Sequence, residues 1–79
     1  MGRIEYLEEI MKPIYEYGLT EREFEVLGYM TKGLSNPDIA NKIYVSDCTV
    51  KAHVGHILEK MKVQNRILAI IKAIKEGIV

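Results

Sequence analysis

The side chains that could carry chemistry are concentrated between residues 46 and 61. This stretch holds the single cysteine, Cys48, both histidines, His53 and His56, and two lysines, Lys51 and Lys60. On a helix, Cys48 and His53 point in different directions, and no second cysteine exists to complete a metal site. No nucleophile or carboxylate is spaced to work with His53, and there is no glycine-rich phosphate loop. The pattern predicts no metal, no cofactor, no small-molecule substrate and no enzymatic activity. A binding function is the class that remains.

The predicted third helix, residues 46–61, has two faces of different character. At about 100° per residue, its apolar side chains fall on one side. They are Val50, Val54, Ile57, Leu58 and Met61. The opposite side carries Cys48, Ala52, Gly55 and Glu59, with Lys51 on one flank and Thr49, His53, His56 and Lys60 on the other. Small residues flanked by lysines allow a helix to approach base edges while the lysines reach phosphates or guanines.

A shorter helix precedes this one across a tight turn. Ser35 or Asn36 can cap the shorter helix, and Pro37 stands in its first turn, where a missing amide hydrogen costs nothing. A turn at residues 44–45 leads to Ser46, the predicted cap of the third helix. Two helices joined in this way indicate a helix-turn-helix unit, whose second helix can enter a major groove of DNA.

The remaining chain also has helical spacing, and nothing resembles a strand, so we predict an all-α fold with four core helices. The first should run from about Thr20 to Lys32, because Thr20 and Glu23 can form a capping box. The fourth should begin near Asn65 and stop before Gly77. The predicted inward side chains are Val26, Leu27 and Met30 in the first helix, Ile39, Ala40 and Ile43 in the second, and Ala69, Ile70, Ala73 and Ile74 in the fourth.

Residues 1–17 are predicted to form an amphipathic helix and linker ahead of the main domain, residues 18–79. The apolar positions on its one face are Ile4, Leu7, Ile10, Met11 and Ile14, with an interruption at Pro13. We expect this segment to pack on the core or on a partner. A frayed tail is the alternative.

Composition limits the possible classes of protein. Residues 1–33 carry four basic and seven acidic residues, a net charge of −3, and residues 34–79 carry seven basic and four acidic residues, a net charge of +3. A modestly basic half is compatible with DNA binding by a dimer. The single cysteine suits a reducing compartment, and no apolar run approaches the roughly 20 residues of a membrane helix. We therefore expect a cytoplasmic domain with no membrane contact.

Five segments together resemble a known family. They are LTERE at 19–23, GLSNPDIA at 33–40, VSDCTVKAHV at 45–54, ILEKM at 57–61 and NRILA at 65–69. In this order and spacing they resemble the LuxR-type, GerE-like DNA-binding domain of bacterial transcriptional regulators, over about residues 18–79. The resemblance implies a four-helix domain that regulates transcription. It also implies homodimers on double-stranded DNA, with the fourth helices in contact and each third helix in a major groove.

The resemblance also assigns roles by position. Base-edge contacts fall on Lys51, Ala52 and Gly55. Backbone contacts fall on Asn36, Ser46, Thr49, His53 and Lys60, and His56 joins this surface at a position where asparagine is frequent. Gly55 replaces what is often a longer side chain.

The fourth helix departs from the family pattern. Leu68 and Ile71 fall where polar residues are common, which predicts a dimer seam that also includes Lys72 and Lys75. The alternative is that these residues pack against the N-terminal segment. Only 17 residues precede the match, so a standalone regulator and a fragment of a larger one are both open, and the starting methionine favours a complete short protein.

Two other functions remain compatible with the pattern. Neutral net charge and Gly55 favour an adaptor or anti-activator that keeps the fold but binds another regulator through its fourth helix. The promoter-reading region of a sigma factor shares the TVK and helix-turn-helix pattern. The KAH sequence at residues 51–53 and the apolar fourth helix speak against that third function.

Overall fold

The computed structural model describes residues 16–78 of the chain and contains four helices in that range. They are α1 (Glu21–Thr31), α2 (Asn36–Ile43), α3 (Asp47–Met61) and α4 (Arg66–Lys75). The predicted all-α fold with four core helices is confirmed, and each boundary lies within about a residue of its prediction. The amphipathic helix predicted for residues 1–17 lies outside the described residues, apart from Glu16 and Tyr17.

All four helices begin at a side-chain cap. In each case an oxygen accepts a hydrogen bond from the amide three residues later. The caps are Thr20, Ser35, Ser46 and Asn65, with distances of 3.1, 3.3, 3.2 and 2.9 Å. The Glu23 carboxylate returns a bond to the Thr20 amide at 3.0 Å, which completes the predicted capping box. These bonds satisfy amides that have no partner within the helix, so local sequence sets where each helix starts.

The core is aliphatic and continuous. All the inward residues predicted for α1 and α2 are buried. In α3 the buried stripe is Val50, Val54, Ile57 and Met61, while Leu58 is half-buried at its edge. Because α3 packs against α1, α2 and α4, it is the central element of the domain.

The prediction for the core face of α4 was wrong at Ile74, whose side chain is 57% exposed. The helix meets the core through Ala69 and Ala73, which are fully buried, and Ile70 is half-buried beside them. Ile74 lies about 120° around the helix from the line of these alanines. Two small side chains let α4 approach α1 and α3 closely, so the larger side chain at position 74 stays outside.

The turn between α2 and α3 uses left-handed backbone. Tyr44, the C-cap of α2, has φ of 58° and is almost fully exposed. The Val45 amide donates a hydrogen bond to Ala40 O at 3.1 Å. The chain then reaches Ser46 and starts α3 at once. This short connection fixes α3 across α2 with one side in the core and the other open. Within the described range, no helix is long and apolar enough to cross a membrane.

Candidate nucleic-acid interface

The outer face of α3 is open along its length. All four predicted outer residues are exposed, namely Cys48, Ala52, Gly55 and Glu59. A Cβ added at Gly55 would meet no atom within 4 Å apart from the backbone of its own helix. From Cys48 to Gly55, about two turns, this face therefore presents little more than helix backbone, and Glu59 stands at its far end. Another molecule can therefore approach the α3 backbone closely on this face.

Lys51 lies on the edge of this face. It is exposed, and its amine has no hydrogen-bond or ion-pair partner among residues 16–78. A lysine ammonium has three donors and no acceptor, so it can reach a phosphate or the acceptor edge of guanine. On α3, Lys51 therefore has the amine best placed to contact a ligand.

The first turn of α3 adds hydroxyl groups to the same surface. Ser46 caps the helix, and its Oγ lies 3.0 Å from the Thr49 Oγ1. Both residues are exposed. Hydroxyls and amides at a helix N-terminus, where the backbone dipole is positive, suit an anionic group such as a phosphate.

Two predicted contact residues, His56 and Lys60, are turned toward α1 instead. The Lys60 amine donates to Glu23 Oε1 at 2.7 Å, and His56 Nδ1 lies 3.6 Å from Glu23 Oε2. The Lys60 side chain is only 33% exposed. Sequence reasoning placed both side chains on the correct flank of α3. It missed their partner, which is 37 residues away along the chain in the case of Lys60.

Glu23 is a buried carboxylate, with an exposed fraction of 3%. Burial alone would raise its pKa, but the hydrogen bonds from Lys60 and the Thr20 amide, together with the charges of Lys60 and His56, outweigh burial and lower the pKa. The ionised form is therefore the stable one. Glu23 closes the cap of α1 and holds α3 against α1 at the same time.

Asn36, at the start of α2, is oriented in a similar way. Its Oδ1 accepts a hydrogen bond from Arg66, whose guanidinium also donates to Leu34 O at 2.7 Å. An amide that accepts through its oxygen keeps its two N–H donors for another partner. Asn36 is half-buried at the edge of the helix-turn-helix unit, and so is His53 within α3.

The outer surface of α4 is apolar. Ile67, Leu68, Ile71 and Ile74 have exposed fractions of 67%, 42%, 53% and 57%. Of the predicted dimer residues, Leu68 and Ile71 are exposed as expected and Lys75 is exposed beside them. Lys72 is half-buried, and its amine donates to Met61 O at 2.9 Å. Sequence reasoning missed Ile67 and Ile74, which a helical projection centred on Ala69 and Ala73 places on this surface.

In the described part of the chain, no three His, Cys, Asp or Glu side chains lie close enough together to hold a metal ion. The Cys48 thiol is exposed on α3. Among these residues, the chemistry of the surface is that of hydroxyl, amide and ammonium donors beside bare helix.

This arrangement defines a class. A short capped helix, a turn with left-handed backbone and a longer helix with one exposed face form a helix-turn-helix unit, here carried on a four-helix core. The model of the family described as "Bacterial regulatory proteins, luxR family" matches residues 17–73. The chain therefore belongs to the LuxR family of bacterial regulatory proteins, as its motifs implied. The family consists of transcription regulators with this DNA-binding domain and not of enzymes.

Individual relatives agree with the family assignment. The chain is 47% identical over 74 residues to the uncharacterized transcriptional regulatory protein YxjL of Bacillus subtilis strain 168, which covers 94% of this chain and 32% of the relative. It is 48% identical over 69 residues to the transcriptional regulatory protein DegU of Brevibacillus brevis, covering 87% of this chain and 28% of that protein.

A solved structure agrees at the level of the fold. The crystal structure of the response regulator ChrA, from a heme-sensing two-component system, superimposes with a TM-score of 0.71 at 41% identity. The match covers 77% of this chain and 30% of that one. The chain thus spans about a third of the length of the relatives it matches.

Proposed function

We propose that this domain is a cytoplasmic transcriptional regulator that binds double-stranded DNA sequence-specifically as a homodimer, with α3 in the major groove. The supporting observation is the outer face of α3, which is open and nearly free of large side chains and has the unpaired amine of Lys51 at its edge. A major groove about 12 Å wide admits such a helix. Close approach needs small residues, and Ala52 and Gly55 supply them.

Each predicted contact residue has a role in this proposal. Lys51 reads a base edge, and Ser46 and Thr49 donate to a phosphate at the helix N-terminus. Asn36 donates to the DNA backbone through the amide hydrogens that Arg66 leaves available. His53 contributes at the edge of α3.

His56 and Lys60 act differently from the other predicted contacts. Because Glu23 binds Lys60 and faces His56, their contribution is to hold α3 in position and to add positive charge near the phosphates. Neutralising Lys60 should therefore affect DNA binding and stability together, whereas neutralising Lys51 should affect DNA binding alone.

The homodimer forms through α4. Ile67, Ile71 and Ile74 fall within about 60° of one another on the helix and make an uncharged stripe, which we call the α4 stripe. Leu68, Lys72 and Lys75 lie to one side of it. A two-fold contact brings the same residues of both copies together, and an uncharged stripe is suited to that. We therefore centre the dimer contact on the α4 stripe, with Leu68, Lys72 and Lys75 at its margin.

Selection from a random oligonucleotide pool, followed by mobility-shift titration, tests DNA binding. We expect an enriched motif and a linear fall of log affinity with log salt concentration. The Lys51→Ala variant should lose about 1–3 kcal/mol of binding free energy and its preference at one position, if the amine binds guanine. Lys32→Ala removes the same charge from the exposed end of α1 and is the matched control. No enriched motif and no loss in Lys51→Ala would refute the proposal.

The symmetry of the selected DNA motif and the molecular mass in solution test the homodimer. A two-fold symmetric motif should emerge, with half-sites about one helical turn apart. Sedimentation equilibrium of the full chain should show a monomer–dimer equilibrium, which Ile71→Asp shifts to monomer. Dimerisation of Ile71→Asp equal to that of the wild type would exclude the α4 contact.

A further inference from the structure

An open groove lies along one side of α4, next to the α4 stripe. Its lining consists of three apolar residues, three lysines and two further polar residues, namely Val63, Leu68, Ile71, Lys62, Lys72, Lys75, Gln64 and Glu76. We propose that this groove, called here the α4 groove, is a docking site for the N-terminal segment of the same chain, residues 4–14. The groove shares Ile71 with the α4 stripe and otherwise lies on the flank of α4 that carries Leu68, Lys72 and Lys75, and the proposal does not depend on DNA binding.

The described chain starts at the groove. Tyr17 is half-buried, and its hydroxyl donates a hydrogen bond to Glu76, which lies at the end of the groove. Its ring centroid is 5.1 Å from the Lys72 amine. Lys72 is in turn fixed by its bond to Met61 O at 2.9 Å. Tyr17, the second residue of the described range, is therefore in contact with α4.

The length of the segment matches the groove. Ile14 and Ile4 are 3 and 13 residues from Tyr17, which is roughly 5 and 20 Å at helical rise and more if extended. The ten-residue α4 is about 15 Å long at the same rise. Residues 4–14 can thus run beside the whole helix from the fixed point at Tyr17.

The chemistry of the segment complements that of the groove. Its apolar residues recur at helical spacing, as Ile4, Leu7, Ile10, Met11 and Ile14. Glu8 lies beside this apolar face at helical spacing, whereas Lys62, Lys72 and Lys75 line the groove together with Glu76. Apolar side chains can cover Val63 and Leu68 while Glu8 approaches a lysine.

A second copy of the domain fits this groove less well. A two-fold contact centred on the groove would bring Lys62, Lys72 and Lys75 of both copies together, and like charges across an interface are unfavourable. The uncharged α4 stripe does not have this problem. We therefore assign the second copy to the stripe and the N-terminal segment to the flank with Leu68, with Ile71 at the boundary between the two contacts.

Paramagnetic relaxation in the full chain, without DNA, tests the docking. A nitroxide is attached at Glu9→Cys in a Cys48→Ser background, because residue 9 lies opposite the apolar positions at helical spacing. We expect loss of the amide signals of Leu68 and Lys75, and no loss at Asn41 in α2. Retention of the α4 signals would overturn the proposal.

A matched pair of variants locates the contact. Leu68→Asp and Ile67→Asp each place an acidic residue in the first turn of α4, where the helix dipole tolerates it, and both side chains are exposed. Leu68→Asp should abolish the signal loss because it blocks the groove, and Ile67→Asp should keep it. The same response in both variants would place the segment elsewhere and would overturn the proposal.

A mixed sample separates docking within one chain from docking between chains. Nitroxide-labelled, nitrogen-14 chains are mixed with unlabelled, nitrogen-15 chains, both carrying Ile67→Asp to disfavour the α4 stripe contact. The α4 signals should then be retained. Their loss in the mixture would show that the segment docks on another copy, which contradicts the proposal.

Discussion

Replacement of Glu23 should separate the two structural roles of its carboxylate. The side chain accepts from the Thr20 amide at 3.0 Å and from the Lys60 amine at 2.7 Å, and it is 3% exposed. Glu23→Gln keeps an oxygen that can complete the capping box but removes the charge opposite Lys60. Glu23→Ala removes both interactions.

The expected losses of unfolding free energy follow from those contacts. A hydrogen bond to a charged group contributes roughly 1.5–3 kcal/mol, and an N-cap interaction about 1 kcal/mol. Because Lys60 is 33% exposed, water compensates part of the lost ion pair. We expect a loss of about 1–2 kcal/mol for Glu23→Gln and about 3 kcal/mol for Glu23→Ala. A small domain has only about 5–15 kcal/mol in total.

The pH dependence of the loss identifies the charge as its cause. The pKa of Glu23 lies below its ordinary value of 4.5 in the folded state. The ionised carboxylate therefore contributes stability that is fully present above about pH 5 and is lost as the pH falls through the folded-state pKa. Glu23→Gln has no such group. Its deficit against the wild type should be largest near pH 7 and should shrink toward about pH 3.

Urea unfolding followed by far-ultraviolet circular dichroism at both pH values measures these differences. Glu25→Gln is a matched control, because it changes the same charge at an exposed site in α1 whose one ion pair within residues 16–78 is with Arg22. It should cost well under 1 kcal/mol. A deficit for Glu23→Gln that is equal at both pH values, or no larger than that of Glu25→Gln, would refute the role assigned to the Glu23 charge.

Two further substitutions have outcomes that the structure determines. Gly55→Ala should raise the unfolding free energy by about 0.5–1 kcal/mol, because the added methyl meets no atom within 4 Å apart from the backbone of its own helix and alanine favours a helix interior; a lower melting temperature would contradict this. Arg66→Lys should lose about 1–2 kcal/mol in urea unfolding, nearly as much as Arg66→Ala, because one ammonium cannot reproduce the forked contacts to Asn36 and Leu34 O. Full retention of stability in Arg66→Lys would show that the fork is unimportant.

Local signals made most of the fold predictable. A capping side chain such as Ser46 acts within three residues, so the start of each helix can be determined from the sequence alone. Helical periodicity also identified the buried side of α1, α2 and α3. It failed for Ile74, because the part of α4 that meets the core depends on how closely Ala69 and Ala73 let that helix approach its neighbours.

The sequence predicted which face of α3 each candidate site residue lies on, but not which side chains it pairs with. Periodicity placed Lys51 and Lys60 on opposite flanks of the outer face of α3; in the structure Lys51 is exposed and Lys60 is half-buried. Only the packed structure shows that Lys60 meets Glu23, whereas Lys51 has no partner in the described range. Contacts between residues distant in sequence depend on the angles between helices, which periodicity does not give.

Two polar links, Glu23–Lys60 and Arg66–Asn36, determine how α3 and α4 are oriented on the core. The core consists almost entirely of aliphatic side chains and alanine, which fill space but do not select one helix rotation. Hydrogen bonds are directional, so the Glu23–Lys60 pair fixes α3 against α1, and Arg66 fixes the start of α4 against the start of α2. In the proposed dimer, the second link connects the α4 contact to the helix-turn-helix unit. The separation of the two α3 helices, and hence the half-site spacing, is then set by these few bonds.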